Sequence, residues 1–339
     1  MKSKTSTPGK IEQEESMGNL VYEVSRRPNN KHQQLLAQIG STFTTPSGGK
    51  VPPAWTNIWM TTDPKSPIQA IGRDSKGRQV YLYSTEHMGL ASAAKFARLK
   101  AFSKDYLSLI RKIRRDMKTT EEAIVLYLIA KTGFRIGSDA ETRSTVKAFG
   151  SSTLRCSQVN IKGNTLSFDF VGKKGIRVNK VLRDPFLALN IGGRCTPGSD
   201  HKIFKTTDDE IRTYLDSISK DHRFTVKDFR TYLGTLTAFH EIIKMPIPQN
   251  DRELKKYKKE VGKAVGKQLG NSPTIALNSY VAPEVFCKWE STSPFPEQKE
   301  GKKRPTLTEA FLECVHYDRE VPTEEKNDSH HLSNSNEGD

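Results

Sequence analysis

Two different spacings of hydrophobic residues run along this chain, and the change from one to the other divides it. Between Val51 and Tyr83 short apolar runs are broken by Pro and Gly. VPPAWTNIWM and then IQAIGRDSKGRQVYLY predict strands joined by a turn at Asp74–Gly77. Val80-Tyr81-Leu82-Tyr83 alternates with the two-residue period of a strand that has one buried and one exposed face. From Ser92 the spacing becomes helical, with Phe96, Leu99 and Phe102, then Leu107, Ile110 and Ile113, three residues apart. TTEEAIVLYLIAKTG predicts a helix opened by a capping box from Thr119 or Thr120 to Glu122 and closed by Gly133.

Three strands follow, Ser157–Ile161, Thr165–Gly172 and Ile176–Leu182, joined by tight turns at 162–164 and Lys173–Gly175. Helices resume at TTDDEIRTYLDSIS, VKDFRTYLGTLTAFHEII and DRELKKYKKEVGKAVGKQLG. The fold class this pattern predicts is α+β: a small strand-rich N-terminal domain, then a mainly helical domain holding a short antiparallel three-stranded sheet. The expected divisions are a flexible leader at 1–18, a β-rich domain at 19–103, a second domain at 104–290, and a largely disordered tail at 291–339. Within that tail Leu307–Val315 reads as a short docking helix.

Composition narrows the partner. The 339 residues suffice for two cores, and 54 Lys+Arg against 39 Asp+Glu give a net charge of +15. Residues 301–339 hold five basic and nine acidic residues, a balance of −4 that leaves +19 on the remainder. An excess of that size points to a polyanion, nucleic acid first, because lysine and arginine displace counterions from phosphates. No apolar stretch reaches the roughly 18 residues of a membrane span, and MKSKTSTPGKIEQEES lacks the apolar core of a signal peptide. The expectation is an intracellular protein that is neither secreted nor membrane-bound. Cys156, Cys195, Cys287 and Cys314 lie far apart and form no CxxC pair, so neither a disulfide framework nor a zinc site is expected. The sequence shows no GK[ST] phosphate loop and no clustered Asp/Glu site for Mg²⁺.

Four local signals carry candidate chemistry, each with an ordinary alternative. Arg135 lies in Gly133-Phe134-Arg135-Ile136-Gly137 after an apolar helix, where a planar guanidinium can hold phosphate oxygens or simply be solvated. Lys173 and Lys174 follow Phe170-Val171-Gly172 at a hairpin, as a possible proton donor or as plain turn residues. Arg230 lies in Lys227-Asp228-Phe229-Arg230-Thr231-Tyr232 at a helix start, facing a phosphate or exposed to solvent. Asn271 and Tyr280 belong to Leu269-Gly270-Asn271-Ser272-Pro273-Thr274-Ile275-Ala276-Leu277-Asn278-Ser279-Tyr280, a helix-ending turn before a short helix. A lone tyrosine there is most often a half-buried phenol.

Taken in this order, Arg135, Lys173, Arg230, Asn271 and Tyr280 resemble the signature of the compact bacterial and poxvirus type IB DNA topoisomerases. VPPAWTNIWM, the IGRDSKGR turn, Tyr81-x-Tyr83 and AAKFARLKAF are similar to that family's first domain, and the resemblance runs from about residue 48 to 288. It implies a monomer clamping duplex DNA between two domains. One strand would be cut through a 3′-phosphotyrosyl link to Tyr280, allowed to rotate, and resealed without ATP or an obligatory metal. By motif position, Arg135 and Arg230 would hold the non-bridging oxygens, Lys173 would protonate the leaving 5′-oxygen, and Asn271 would stand where poxvirus members have a phosphate-contacting histidine. Lys174 and Lys227 would contact DNA. Tyr81 and Tyr83 resemble tyrosines that touch DNA near the cleavage site, the alternative being packing under the sheet. The arginine with which poxvirus members follow them has no counterpart in Ser84–Ala91.

The lysines at 255, 256, 258, 259, 263 and 267 surround a helix with Leu254, Tyr257, Val261, Val265 and Leu269 as its apolar stripe, and read either as a solvated face or as phosphate contacts. Two other functions fit part of this pattern. A tyrosine recombinase uses the same chemistry, but the histidine of its His-x-x-Arg box is Lys227 here, and its grasping domain is helical rather than strand-rich. A non-catalytic basic DNA-binding protein would have no use for Tyr280. The resemblance places the protein with bacterial or viral DNA, in the cytoplasm or nucleoid, or in a virion or host cell.

Overall fold

The computed structural model describes residues 15–16, 19–24, 44–139, 146–196, 198–219, 224–289 and 307–316. The chain forms two compact units, Met1–Tyr232 and Leu233–Asp339.

The first unit opens with an antiparallel sheet in simple sequence order: β1 (Glu15–Ser16), β2 (Asn19–Val24), β3 (Thr56–Thr61), β4 (Ile68–Arg73) and β5 (Gln79–Tyr83). The expected turn between β4 and β5 forms around Asp74, which accepts from the Lys76 and Arg78 backbone amides at 2.9 and 3.0 Å. Val51, Trp55, Ile58, Met60 and Ala70 make the core, with Val80 and Leu82 of β5 packed against it. The two-residue alternation of β5 thus resolves as predicted: Val80 and Leu82 turn inward, and Tyr81 and Tyr83 turn out.

A helix of 32 residues, α1 (Thr85–Asp116), follows, capped by Ser84, whose side chain accepts from the His87 amide. The expected division at 103/104 falls inside this helix, which carries no proline. Its buried face includes Phe96, Leu99, Phe102, Leu109 and Ile113. Phe102 meets the rings of Phe224, Phe229 and Tyr232 edge-on, with centroids 4.9–5.8 Å away. Full burial of such a ring contributes about 2–3 kcal/mol, so α1 joins its unit firmly to the segment at 224–232.

α2 (Glu121–Thr132) is buried on every side from Ala123 to Ala130. Its apolar run is that of a central helix, not an amphipathic one. Gly133 closes it in the left-handed region at φ 72°, as predicted. The predicted capping box does not form: Thr120 is the N-cap residue and makes no side-chain cap bond. Counted from Thr120, Glu122 is one position short of the reciprocal site. Its neighbour Glu121 is turned to another segment, where it accepts from the Lys205 and Thr206 amides at 2.6 and 2.8 Å.

The second sheet is antiparallel in the order β6 (Val159–Lys162), β7 (Thr165–Val171) and β8 (Arg177–Arg183). No disulfide framework was expected, but one cysteine pair does meet beside this sheet. Cys156 and Cys195, 39 residues apart, form a disulfide with their Cα atoms 5.4 Å apart. Sequence spacing carried no sign of it, because the contact depends on the strands between them. α3 (Pro185–Gly192), α4 (Asp208–Ile218) and α5 (Val226–Ile242) follow, and α5 ends in the second unit.

The second unit contains the rest of α5, then α6 (Asp251–Leu269), α7 (Pro273–Tyr280), a 3-10 turn at Pro283–Trp289 and α8 (Leu307–His316). The expected docking helix is α8, and its Phe311 is fully buried against Phe239 of α5, ring to ring at 5.5 Å. The remainder of the expected tail lies outside the described residues. So does the expected leader, apart from Glu15 and Ser16. No helix among the described residues is long and apolar enough to cross a membrane.

Candidate active site

Arg135 is presented by a loop that three kinds of contact shape. The first is the left-handed turn at Gly133. The second is Phe134, buried edge-on between Phe168 and Phe170 of β7 with centroids at 5.2 and 5.0 Å. The third is a short backbone ladder: the Ser151 amide donates to the Arg135 carbonyl at 2.8 Å, and the Ser152 amide to that of Ile136 at 2.7 Å. Gly150 crosses Gly137 so closely that an added Cβ would lie 2.5 Å from the Gly137 nitrogen and 2.8 Å from the Arg135 carbonyl oxygen. With Phe134 buried beside it, Arg135 is left half-buried at the surface.

Lys173 sits in the turn that joins β7 to β8. The Gly172 amide donates to the Ile176 carbonyl at 2.8 Å, and Lys174 takes the left-handed φ of 65° that tightens the turn. Both lysines are exposed. The Phe149 amide donates to the Val171 carbonyl at 2.8 Å, so the chain that leads into the Gly150 crossing is stitched to the strand that leads into Lys173.

Arg230 is brought to the same loop. It is 4% exposed, and its guanidinium Nη1 donates to the Gly133 carbonyl, two residues before Arg135. The start of α5 is fixed by Asp228, which is 1% exposed and accepts from the Thr225 amide at 2.7 Å. Asp228 also receives both ends of the Arg98 fork from α1, at 2.8 and 3.0 Å. That bidentate pair raises the Arg98 pKa and joins α1 to the turn of helix that carries Arg230. Lys227 is exposed beside it. Burial, and then the charges of Lys227 and Arg98, lower the Lys95 pKa to about 8. The sequence offered no sign of the link from Arg98 to Asp228, because nothing local marks a pair 130 residues apart.

The second unit carries Asn271 and Tyr280. Gly270 ends α6 in the left-handed region at φ 64°, and the Asn271 amide donates to the Gly266 carbonyl at 3.0 Å. α7 then begins with Pro273 at its first position, where a missing N–H costs nothing. It ends on Tyr280, 9% exposed. The tyrosine's backbone is held by α5: the Thr235 hydroxyl donates to the Tyr280 carbonyl at 3.1 Å and accepts from the Ala282 amide at 3.2 Å. Gly234, one residue earlier, lets the two segments meet, since a Cβ there would lie 2.8 Å from the Tyr280 carbonyl oxygen. Thr235 and Gly234 escaped the sequence reading because LGT within an apolar helix looks like packing.

Arg135, Lys173 and Arg230 therefore belong to one unit, and Asn271 and Tyr280 to the other. On β5, Tyr81 and Tyr83 are 44% and 38% exposed and stack with centroids 6.3 Å apart; Tyr83 stacks in turn on His87 at 5.2 Å. They form an outward aromatic row rather than a layer under the sheet. Along α6 the stripe Val261, Val265 and Leu269 is buried, with Lys255, Lys256, Lys259, Lys263 and Lys267 on the exposed side.

A small antiparallel sheet, a mainly helical part holding a second three-stranded sheet, and two guanidiniums meeting at one loop fit a class of enzymes that act on DNA phosphates. Comparison with known proteins identifies which branch. The family described as eukaryotic DNA topoisomerase I, catalytic core, matches residues 85–292, and the bacterial DNA topoisomerase IB N-terminal domain matches residues 50–74. DNA topoisomerase 1B of Acanthamoeba polyphaga mimivirus is 30% identical over 72% of this chain and 82% of its own length. DNA topoisomerase 1 of Daucus carota is 27% identical over 54% of this chain, and that of Homo sapiens 25% identical over 40%; these matches span 23% and 19% of the respective relatives. The chain belongs to the type IB DNA topoisomerase family. It is an isomerase of DNA topology, and its partner is double-stranded DNA.

Proposed function

We propose that the protein relaxes supercoiled duplex DNA by cutting one strand through a 3′-phosphotyrosyl intermediate, letting the broken end rotate, and resealing it. The Tyr280 oxygen attacks the backbone phosphorus, the bond to the 5′-oxygen breaks, and the phenol proton leaves to solvent. Lys173 delivers a proton to the departing 5′-oxygen, which would otherwise leave as a poor alkoxide. Arg135 and Arg230 hold the non-bridging oxygens as negative charge grows on them. Asn271 donates an amide hydrogen bond to the same phosphate. The covalent link keeps the energy of the broken backbone bond, so religation is the reverse step and needs no ATP. With two guanidiniums and an ammonium supplying the charge, the chemistry has no obligatory metal or other cofactor. The enzyme acts as a monomer around DNA inside the cell or virion, with Tyr81, Tyr83, Lys174 and Lys227 adding grip.

One observation supports this reading above the others: Arg230 closes on the carbonyl two residues before Arg135, so two cations from distant parts of the chain share one short loop. The test is relaxation of supercoiled plasmid in EDTA without ATP. Wild type should relax it and leave a denaturant-stable adduct on Tyr280. Tyr280→Phe should bind DNA as before but neither relax it nor form the adduct. A Phe variant that relaxes plasmid at the wild-type rate removes Tyr280 from the nucleophile role.

A further inference from the structure

β8 turns a charge inward where a hydrophobic residue was available. Its exposure alternates along Arg177–Arg183, so that Val178, Lys180 and Leu182 face the protein and Arg177, Asn179, Val181 and Arg183 face out. Val181 is 63% exposed, while its neighbour Lys180 points to the side of the sheet that packs. Hydrophobic patterning alone would place these two residues the other way round.

Lys180 is held in that position by a specific contact. Its Nζ donates to the Thr132 carbonyl, in the last residue of α2, at 2.6 Å. The next carbonyl, that of Gly133, receives the Arg230 guanidinium. Two cations thus lie at the carbonyl end of a buried helix, where the backbone dipoles favour positive charge. Lys180 pairs in register with Phe168, whose ring packs on Phe134, the residue before Arg135. The Thr132 side chain completes the turn: its hydroxyl donates to the Leu128 carbonyl and accepts from the Phe134 amide at 3.1 Å.

We propose that Lys180 is a positioning residue of the cleavage site, fixing through Thr132 and Gly133 the loop that presents Arg135. Its ammonium joins three elements: β8, which returns from the Lys173 turn; the end of α2, from which Arg135 projects; and, through the adjacent carbonyl, the helix that carries Arg230. The arrangement is costly without a purpose. Burial and the neighbouring Arg230 charge pull the Lys180 amine down to about 8, and a leucine at 180 would face no such opposition. Lys180 contacts the loop's backbone, so its effect on the reaction passes through Arg135.

This inference rests on the reading of Arg135 as a phosphate ligand, and the test separates the two. Single-turnover cleavage of a duplex oligonucleotide is measured for wild type, Lys180→Met, Arg135→Ala and the double variant, with DNA affinity measured alongside. Lys180→Met should slow cleavage about tenfold or more, since small displacements of a positioned group are costly, with affinity within about twofold of wild type. On the Arg135→Ala background the same change should slow cleavage by less than about threefold, because the group it positions is gone. Should Lys180→Met not fold, Lys180→Leu, which also removes the donor to Thr132, takes its place in the same cycle. Two outcomes overturn the inference: wild-type cleavage by the Lys180 variant, or an equal penalty with and without Arg135, which marks a merely structural role. An Arg135→Ala variant that cleaves normally overturns the underlying reading instead.

Discussion

Thr235 clasps the chain at Tyr280: its hydroxyl donates to the tyrosine's carbonyl at 3.1 Å and accepts from the Ala282 amide at 3.2 Å, all within the second unit. The last turn of α7 is therefore fixed by α5 on its C-terminal side, through two hydrogen bonds made by one fully buried side chain. Replacing Thr235 by Val keeps the shape and leaves a buried amide and carbonyl without that partner, at a cost of about 1–3 kcal/mol. Thr235→Val should lower the melting temperature and slow single-turnover cleavage while leaving DNA affinity unchanged. Cleavage at the wild-type rate in a destabilised variant would show that the clasp serves the fold only.

The crossing of Gly150 over Gly137 gives a second prediction. A methyl group at 150 would meet backbone atoms at 2.5–2.8 Å, and none of these is the end of a flexible side chain. Gly150→Ala must shift the Arg135 loop and should cost about 1–3 kcal/mol as overpacking. We expect slower cleavage and retained binding. Gly163→Ala is the control, since its Cβ position is open and only its φ of 56° opposes the change; it should cleave at the wild-type rate.

Asp228 predicts a loss of stability. It is buried, caps the start of α5 through Thr225, and receives the bidentate Arg98 fork. Removing one partner of a buried ion pair costs about 3–5 kcal/mol, and the remaining exposure of Arg98 places the expected value at the lower end. Chemical denaturation of Asp228→Asn should show a lowered midpoint. Cleavage should fall as well, because Arg230 stands two residues further along the same helix.

The Lys95 amine titrates near 8 through burial and then the charges of Lys227 and Arg98, the latter being paired with Asp228. A lysine whose folded pKa lies below its unfolded value of 10.5 binds fewer protons when folded. Stability therefore rises as pH climbs from about 8 towards 10.5, not the reverse. DNA binding moves the other way, because the exposed basic edge beside Lys227 loses a charge. The salt dependence of DNA affinity should become shallower between pH 7 and pH 9 by roughly one phosphate contact. Lys95→Met should abolish that change; an undiminished change in this variant would assign it to another group.

The Cys156–Cys195 bridge closes a 39-residue separation. In the chain-entropy account such a loop contributes about 3–4 kcal/mol. A non-reduced peptide map should join the two cysteines, and reduction should lower the melting temperature by on the order of 5 °C. An unchanged melt after verified reduction would assign the bridge no stabilising role.

Much of this architecture is legible in local pattern. The alternation at 80–83, the glycine closing α2, the hairpin at Lys173 and the buried stripe of α6 are each set by nearest neighbours, and each appears where its residues predict. The capping box at 119–122 failed because the helix starts from Thr120, which puts Ala123 and not Glu122 at the reciprocal position. α1 runs unbroken through the expected division at 103/104 because its aromatic face packs on 224–232 and nothing in its own sequence interrupts it.

The sequence by itself determined most of the elements, the excess of positive charge over residues 1–300, and the ordered motifs that mark a type IB topoisomerase, because residue type and spacing act over one or two turns. Only the tertiary structure decided what holds those motifs in place. Arg98 on Asp228, Arg230 on the Gly133 carbonyl, Lys180 on Thr132 and Thr235 at Tyr280 are contacts between residues 45 to 130 positions apart. Their partners are mostly backbone groups or single buried carboxylates, which carry no sequence signature of their own. A hydrogen bond to a carbonyl depends on where the chain passes and not on which residue supplies it, so these links become visible only once the chain has folded.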